Sequence, residues 1–384
     1  MKKLFKVVLV ALMVLSLVAC GGGANEETPA EEQPTEETNA VKVAVLIPFR
    51  GDQSYFDTIA NGADKLNGTN YNGTDITVDV YECDPEGAAE ASNWANWFDD
   101  VCEDGEYDLV VCGNNSYEAF LYEACKKYPD QKFMNFDMSA LPEEGCPANC
   151  YCVQYALDDL GYVVGTLSAA LTKTGVVGVV VGMDNQAMNQ FISGYVQVLA
   201  DKGVKYVIDY PGSFTDTDKG KLHTEQMIEQ ANCDVIWQVA GGLGNGVIAA
   251  CAENPDVWCV GVDQDQYAQF KESNPDWANT IITSALKNSD VAIEYAVHQL
   301  IDGKLDAKLG TTEALGIAVN GVGIAENDYY NANVSAEIKT EIADTLAKVT
   351  AGEIEVYDSL ADADYEANWP AIRDANIVSV TVTD

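Results

Sequence analysis

Chemistry-bearing residues concentrate between Cys233 and Gln266, where a strand, a glycine run, a helix and a second strand follow one another within 34 residues. The apolar runs 233–240 and 258–262 are short and rich in β-branched residues, so both read as buried parallel strands. Gly241-Gly-Leu-Gly-Asn-Gly246 lies between them, ahead of a helix over 247–253. Glycines between a strand end and a helix start let backbone N–H groups approach a ligand with no Cβ in the way. Asp263 and Asp265 leave the second strand at its carboxyl end, the edge of an open α/β sheet where ligands sit. Carboxylates there can accept hydrogen bonds from ligand hydroxyls; they could also act as acid and base on a glycoside, but two residues apart at a strand exit they diverge. An acid stands 19 positions after Gly244, yet Gly242-x-Gly244-x-Gly246 lacks the G-x-G-x-x-G spacing of a pyrophosphate turn. One wall of a small-molecule site and a plain tight turn both remain open, and no nicotinamide or other cofactor is expected. Ser-His-Asp sets, H-E-x-x-H and G-x-S-x-G are absent.

The elements that must position these residues alternate along the chain. Strands are expected over 41–47, 76–81, 108–112, 132–136 and 151–155, with helices over 55–66, 88–101 and 117–128 between them. A second series has helices over 160–172, 187–200 and 217–230 and strands over 176–181 and 205–210, running into the unit described above. A helix over 290–301 ends at Gly303. Repeated β-α-β with apolar strands implies parallel sheets flanked by helices. The 344 residues after Ala40 exceed one ordinary core. The expectation is therefore an α/β chain of two doubly wound lobes. The first covers 41–155, completed by about 285–320 and the C-terminal tail; the second covers 156–284; the tail is 321–384. Crossings are placed near Ala156, Ser284 and Asn320. In the tail, 334–350 reads as a helix, 358–366 as a solvated loop and 377–382 as a last strand.

The first forty residues carry addresses rather than fold. Lys2, Lys3 and Lys6 precede an apolar run over 7–18, long enough for a signal-peptide core and too short for a membrane span. It ends in Leu17-Val18-Ala19-Cys20, which resembles a bacterial lipobox with Cys20 as the lipidated mature N-terminus. The two acyl chains of a diacylglyceryl cysteine suffice for stable anchoring, which places the protein on the extracytoplasmic face of the cell membrane. Residues 21–40 hold six glutamates, two prolines and no basic residue, the composition of a disordered tether spanning roughly 25 Å on average. The formal charge is −40, or about −43 without the three signal lysines, which excludes nucleic acid as partner. Of the ten cysteines besides Cys20, Cys146, Cys150 and Cys152 are close enough in sequence for a disulfide. Their spacing is not C-x-x-C and neither His223 nor His298 is near, so no metal is expected. The pairing stays open.

Seven motifs occur in order: Asp52-Gln-Ser-Tyr55; Lys126-Lys-Tyr-Pro-Asp-Gln-Lys-Phe133 leading to Asp137; Gly178-Val-Val-Val-Gly-Met-Asp184 with Phe191; Gly212-Ser-Phe214; Ala240-Gly-Gly242; Gly261-Val-Asp263-Gln-Asp265-Gln266; and Thr283-Ser-Ala-Leu-Lys287. Together they resemble the basic membrane protein, or purine nucleoside receptor A-like, family of ABC-importer substrate-binding lipoproteins, over about 41–357. The resemblance implies a type I periplasmic-binding-protein fold with hinge crossovers, closing on a nucleoside and delivering it to the transmembrane permease subunits.

A nucleoside offers a flat base, to which aromatic faces give stacking area at low entropy cost. Tyr55 and Phe56 from the first lobe and Phe191 from the second are the expected sandwich. The paired ribose hydroxyls suit an ionised carboxylate, the role expected of Asp263, with Lys287 added as a donor by resemblance. Asp137 faces the same cleft from the strand ending at Phe136. Asp52, Ser54, Asn114, Met183, Gly241 and Gly242 complete the candidate contacts. The first loop departs from the family, with Pro48-Phe49-Arg50 where nucleoside-binding members carry an aspartate, and Phe56 where they carry an asparagine. Arg50, one of only two arginines, is expected either to contact the ligand, admitting an anionic solute, or to pair with a local acid. The competing classes are a nucleoside- or sugar-processing enzyme, revealed by turnover, and a surface adhesin or sensor on the same fold.

Overall fold

The computed structural model describes residues 39–84, 91–114 and 117–381. The signal peptide, Cys20 and most of the tether lie outside the described residues. Asn39 and Ala40, read above as tether, instead open the first strand and pair with Thr74 and Asp75.

In chain order the first series is β1 (Asn39–Ile47), α1 (Tyr55–Leu66), β2 (Asn70–Tyr71), β3 (Thr74–Glu82), α2 (Ala91–Cys102), β4 (Leu109–Cys112), α3 (Glu118–Lys127), β5 (Phe133–Asn135) and β6 (Cys150–Tyr155). The second is α4 (Leu157–Leu171), β7 (Val176–Val181), α5 (Gln186–Asp201), β8 (Lys205–Asp209), α6 (Thr217–Ala231), β9 (Val235–Val239), α7 (Gly244–Ala252), β10 (Trp258–Asp263), the short α8 (Gln266–Phe270) and α9 (Pro275–Ala278), and β11 (Ile281–Lys287). There follow α10 (Ser289–Ile301), β12 (Thr311–Leu315), β13 (Val322–Ile324), α11 (Asp328–Asn333), α12 (Ala336–Thr350) and α13 (Tyr365–Arg373).

Two sheets result. One has the order β12-β6-β5-β4-β1-β3-β2, parallel except for the β2–β3 hairpin. The other has the order β13-β11-β10-β9-β7-β8, parallel except for the edge strand β13. The central strands are buried on both faces, which is why Val43–Ile47 and Val177–Val181 are unbroken apolar runs. The chain passes from the first sheet to the second between Tyr155 and Leu157, returns between Lys287 and Ser289, and passes again between Leu315 and Val322.

Helices α4 and α5 meet at glycines. A Cβ at Gly161 would stand 2.1 Å from the Phe191 carbonyl oxygen, and one at Gly194 would stand 2.1 Å from that of Asp158. Only hydrogen at these positions allows the backbones so close, and this approach fixes where Phe191 sits. Glycine also acts as a packing residue in α7, which begins at Gly244 rather than at residue 247. A Cβ at Gly246 would lie 1.9 Å from the Thr217 carbonyl of α6, so half of the expected turn is a close helix–helix contact.

The C-terminal tail packs on the second sheet's helices, not on the first lobe. Three glutamines on one side of α5 hold it. Gln186 Nε2 donates to the Ser359 carbonyl at 2.7 Å, Gln190 Nε2 to Asp358 at 3.1 Å and Gln197 Nε2 to the Glu355 carbonyl at 3.0 Å. Tyr357 N returns a bond to Gln197 at 2.8 Å, and Ser359 Oγ returns one to the Gln186 carbonyl at 3.0 Å. Residues 358–366 are therefore no solvated loop: Ser359 is fully buried, and α13 starts at Tyr365. Among the described residues, the expected strand over 377–382 reduces to a single bridge between Ile377 and Tyr206.

Candidate functional site

The carboxyl ends of both sheets converge on one cavity of about 260 Å³, close to the lower end of small-molecule sites. From the first sheet, the loop after β1 and the first turn of α1 bring Phe49, Asp52, Tyr55 and Phe56. The exits of β4, β5 and β6 bring Asn114, Tyr117, Asp137, Met138, Ser139 and Tyr155. From the second, α5 brings Met188, Gln190 and Phe191, the β8 and β9 exits bring Phe214, Gly241 and Gly242, and the last residues of β10 and β11 are Asp263 and Lys287. Leu360 reaches in from the C-terminal tail.

One end of the cavity is charged and anchored across the cleft. Lys287 Nζ, on the second sheet, lies 2.7 Å from Asp137 Oδ2 on the first, and both side chains are largely buried. The Tyr55 hydroxyl donates to the same oxygen at 2.6 Å. Burial and the adjacent Asp137 charge push the Tyr55 phenol well above its ordinary range, so it stays a donor. The ammonium sits 4.9 Å from the Tyr55 ring centroid, 5.2 Å from Tyr155 and 5.5 Å from Phe191, a cation faced by three rings.

Asp263 occupies the other polar position. Its carboxylate accepts from Ser54 Oγ across the cleft. Burial raises its pKa to about 6, against the Ser54 hydrogen bond and the Lys287 charge, which pull it down. Next to it, Gln266 Nε2 donates to the Gln53 carbonyl at 3.2 Å and Gln264 Nε2 to the Ser54 carbonyl at 3.4 Å. Two residues of these segments, Gln53 (φ 55) and Asp263 (φ 66), are left-handed without being glycine. Such backbone costs about 1–3 kcal/mol and persists only where its surroundings over-determine it.

Ten of the thirteen residues singled out from sequence line this cavity; Arg50, Ser54 and Met183 do not. Asp52 lines it, but its two oxygens accept the backbone N–H groups of Ser54, Phe56 and Asp57 at 2.9–3.1 Å, capping α1. Ser54 is fully buried behind Asp263 and orients it. Met183 is 38% exposed and outside the cavity; Met188 of α5 takes the place expected of it. Gly242 packs closely, since a Cβ there would stand 3.3 Å from the Phe214 carbonyl oxygen, a tight contact.

Arg50 is paired outside the cavity. Its Nη1 and Nη2 bond the two oxygens of Asp64 at 2.6 and 3.0 Å, and Nε lies 3.7 Å from Glu82. The local-acid alternative holds because Asp64 lies in α1, within the guanidinium's span. Arg50→Ala is expected to leave ligand affinity unchanged in a titration and to cost about 0.2–1 kcal/mol of stability, the range for exposed pairs.

Tyr117, Tyr155, Phe214 and Leu360 were not singled out as ligand contacts. Tyr155 closes a strand at its carboxyl end, a position that could have marked it. Leu360 carries no such signal. Away from the cavity, His223 Nδ1 lies 2.6 Å from Asp209. Among the described residues no group of three or more His, Cys, Asp or Glu is placed to hold a metal ion, and no helix is long and apolar enough to cross a membrane.

A family model described as Bmp, ABC transporter substrate-binding protein PnrA-like, matches residues 40–359. The chain is 28% identical over 279 residues to the ABC transporter nucleoside-binding protein BmpA of Lactococcus lactis, covering 69% of this chain and 75% of that protein. It is 24% identical to basic membrane protein D of Borreliella burgdorferi, covering 84% and 87%. Among solved structures, an ABC transporter solute-binding protein from Aeropyrum pernix superposes with a TM-score of 0.70 at 23% identity, over 88% of this chain and 98% of that one. A periplasmic solute-binding protein from Actinobacillus succinogenes with bound D-allose gives 0.58 at 13% identity, over 76% and 99%. Both share the two-lobed fold.

Proposed function

The chain belongs to the Bmp family of PnrA-like ABC transporter substrate-binding proteins, which bind rather than transform their ligands, and on that premise we propose that it captures a purine nucleoside between two closing lobes. The lobes are residues 39–155 with 289–315, and residues 157–287 with 322–381; the three crossings between them are the hinges. Cys20 anchors the protein by lipid on the extracytoplasmic face of the cell membrane, and the closed form delivers its ligand to the permease.

The observation that carries the nucleoside reading is the pairing, within one cavity, of a buried carboxylate with flat apolar walls. Asp263 Oδ2 is engaged by Ser54, and the other oxygen serves as acceptor for a ribose hydroxyl. Phe56 and Phe191 line the cavity from opposite lobes and supply faces for the base. The name of the Lactococcus relative points the same way. An anionic solute has less support, because Arg50 is spent on Asp64 and Lys287 on Asp137.

The test is calorimetric titration of the full-length chain in mild detergent with adenosine, guanosine, inosine, uridine and free ribose. One purine nucleoside bound per chain, recovered unchanged, is the expected result. Binding of ribose or another sugar as tightly as any nucleoside would overturn the assignment of the aromatic faces to a base.

A further inference from the structure

Ten cysteines lie among the described residues, none of them in a disulfide; nine are buried and Cys146 alone is partly exposed. Cys146 stands in the loop between β5 and β6. The turn in which Cys150 N donates to the Pro147 carbonyl at 2.9 Å folds this loop back onto the strand it precedes. The Cys146 Sγ thereby comes to 3.0 Å from Cys152 Sγ, which is 3.8 Å from Cys150 Sγ. Cys150 and Cys152 project from the same face of β6, two residues apart. The Cys146 Sγ also lies 3.5 Å from the Thr311 carbonyl of β12, so the loop covers the edge where β6 and β12 pair.

We propose that Cys146 and Cys152 form an oxidisable dithiol, with Cys146 the entry thiol and Cys152 the resolving one. The thiolate of Cys146 attacks a small-molecule disulfide, forming a mixed disulfide and expelling one thiolate, which takes up a proton. Cys152 then loses its proton to solvent and attacks the Cys146 sulfur, forming the protein disulfide and expelling the second thiolate, which is protonated in turn. The small-molecule disulfide is reduced to two thiols, and the protein loses two hydrogens. Exposure selects Cys146 as the entry, since the other nine thiols are buried away from a reagent. Proximity selects Cys152 as its partner. The neighbouring Cys150 and Cys152 thiols also hold the Cys146 thiol below its ordinary range, which favours its reactive thiolate. The bridge would staple the loop to β6, whose last residue, Tyr155, lines the ligand cavity. It leaves the cavity residues themselves untouched.

The experiment uses the full-length chain with Cys20→Ala, so that no other accessible thiol interferes, treated with oxidised glutathione and mapped by mass spectrometry without reduction. The peptide carrying the three cysteines is expected to lose two hydrogens, and to do so equally in Cys150→Ser. Cys152→Ser is expected to stop at one glutathione on Cys146, and Cys146→Ser to stay reduced. Brief alkylation of the unoxidised chain gives a reading free of substituted core positions, with Cys146 expected to be labelled before the other nine. Loss of two hydrogens in Cys152→Ser would assign the bridge to Cys150 and overturn the pairing. Slow labelling of Cys146, or its failure to take up glutathione, would overturn its role as entry.

Discussion

Lys287→Met is expected to weaken ligand binding a hundredfold or more and to shift the ligand-free protein towards an open form. The ammonium ties the end of β11 to Asp137 on the opposite lobe at 2.7 Å, with the lysine side chain 6% exposed and the aspartate 17%. Methionine fills most of the lysine's volume but leaves Asp137 facing a low-dielectric wall with only the Tyr55 hydroxyl as partner. Removing one member of a buried ion pair costs about 3–5 kcal/mol, and each 1.4 kcal/mol is tenfold in affinity. Opening the lobes returns Asp137 to water, so the cost falls on closure rather than on the folding of either sheet. Small-angle scattering should then show a larger radius of gyration in Lys287→Met, and calorimetry a weaker ligand. Adding Asp137→Asn should restore part of the loss, because the stranded charge is gone. A single variant with wild-type scattering and affinity would show that the pair does not hold the cleft.

Asp263→Asn is expected to make the ligand-free protein more stable and its ligand weaker. The folded-state pKa of Asp263 is raised from 3.8 to about 6. Between those values the folded chain binds more protons than the unfolded one, so stability falls as pH rises through the window, and the deficit is complete above about pH 6. A shift of this size corresponds to about 3 kcal/mol as an upper figure. Asparagine keeps an acceptor for Ser54 and carries no charge to desolvate. Denaturation at pH 4 should therefore show little difference between the two proteins, and denaturation at pH 7.5 should favour the variant. Binding follows the opposite course. A hydrogen bond to a charged acceptor is worth about 1.5–3 kcal/mol, so the variant should bind about tenfold to a hundredfold more weakly at pH 7.5. Wild-type affinity should itself decline as Asp263 protonates below pH 6. An asparagine variant no more stable than wild type at pH 7.5 would show that the carboxylate is not desolvated in the ligand-free cleft. The left-handed backbone at Gln53 and Asp263 fits such a site, where stability is given up for a poised acceptor.

Where one element carried its own signal, sequence reading reached the structure. The span 55–66 is the helix α1 and 176–181 is β7, because apolar periodicity and burial coincide there. Thr311–Leu315 escaped notice because an edge strand half in solvent has no apolar run, and Val322–Ile324 because three residues show no period. Gly244 and Gly246 were read as a turn, since glycine freed for a turn and glycine required by a close helix contact look the same in sequence. The chain-end packing was misplaced because Gln186, Gln190 and Gln197 carry no apolar mark; their hydrogen bonds hold the tail together with the buried rings of Tyr365 and Trp369. At the site, Asp263, Lys287, Asp137 and Phe191 were legible as residues at strand exits or in motifs. Arg50 was legible only as a choice between a ligand and a local acid, since nothing in a linear sequence shows that Asp64 lies within reach of the guanidinium.

The glutamine-held tail has a practical consequence. The family match stops at residue 359, and the cavity is finished by Leu360. An expression boundary drawn at the end of the homologous region would sever Leu360, α13 and the pairing of Ile377 with Tyr206. It would also free the segment on which Gln186 and Gln190 depend. Such a truncated protein would keep both sheets and every shared motif, yet screening it against candidate solutes would sample a breached pocket. A negative result from that screen would report on the cut rather than on the specificity of the receptor.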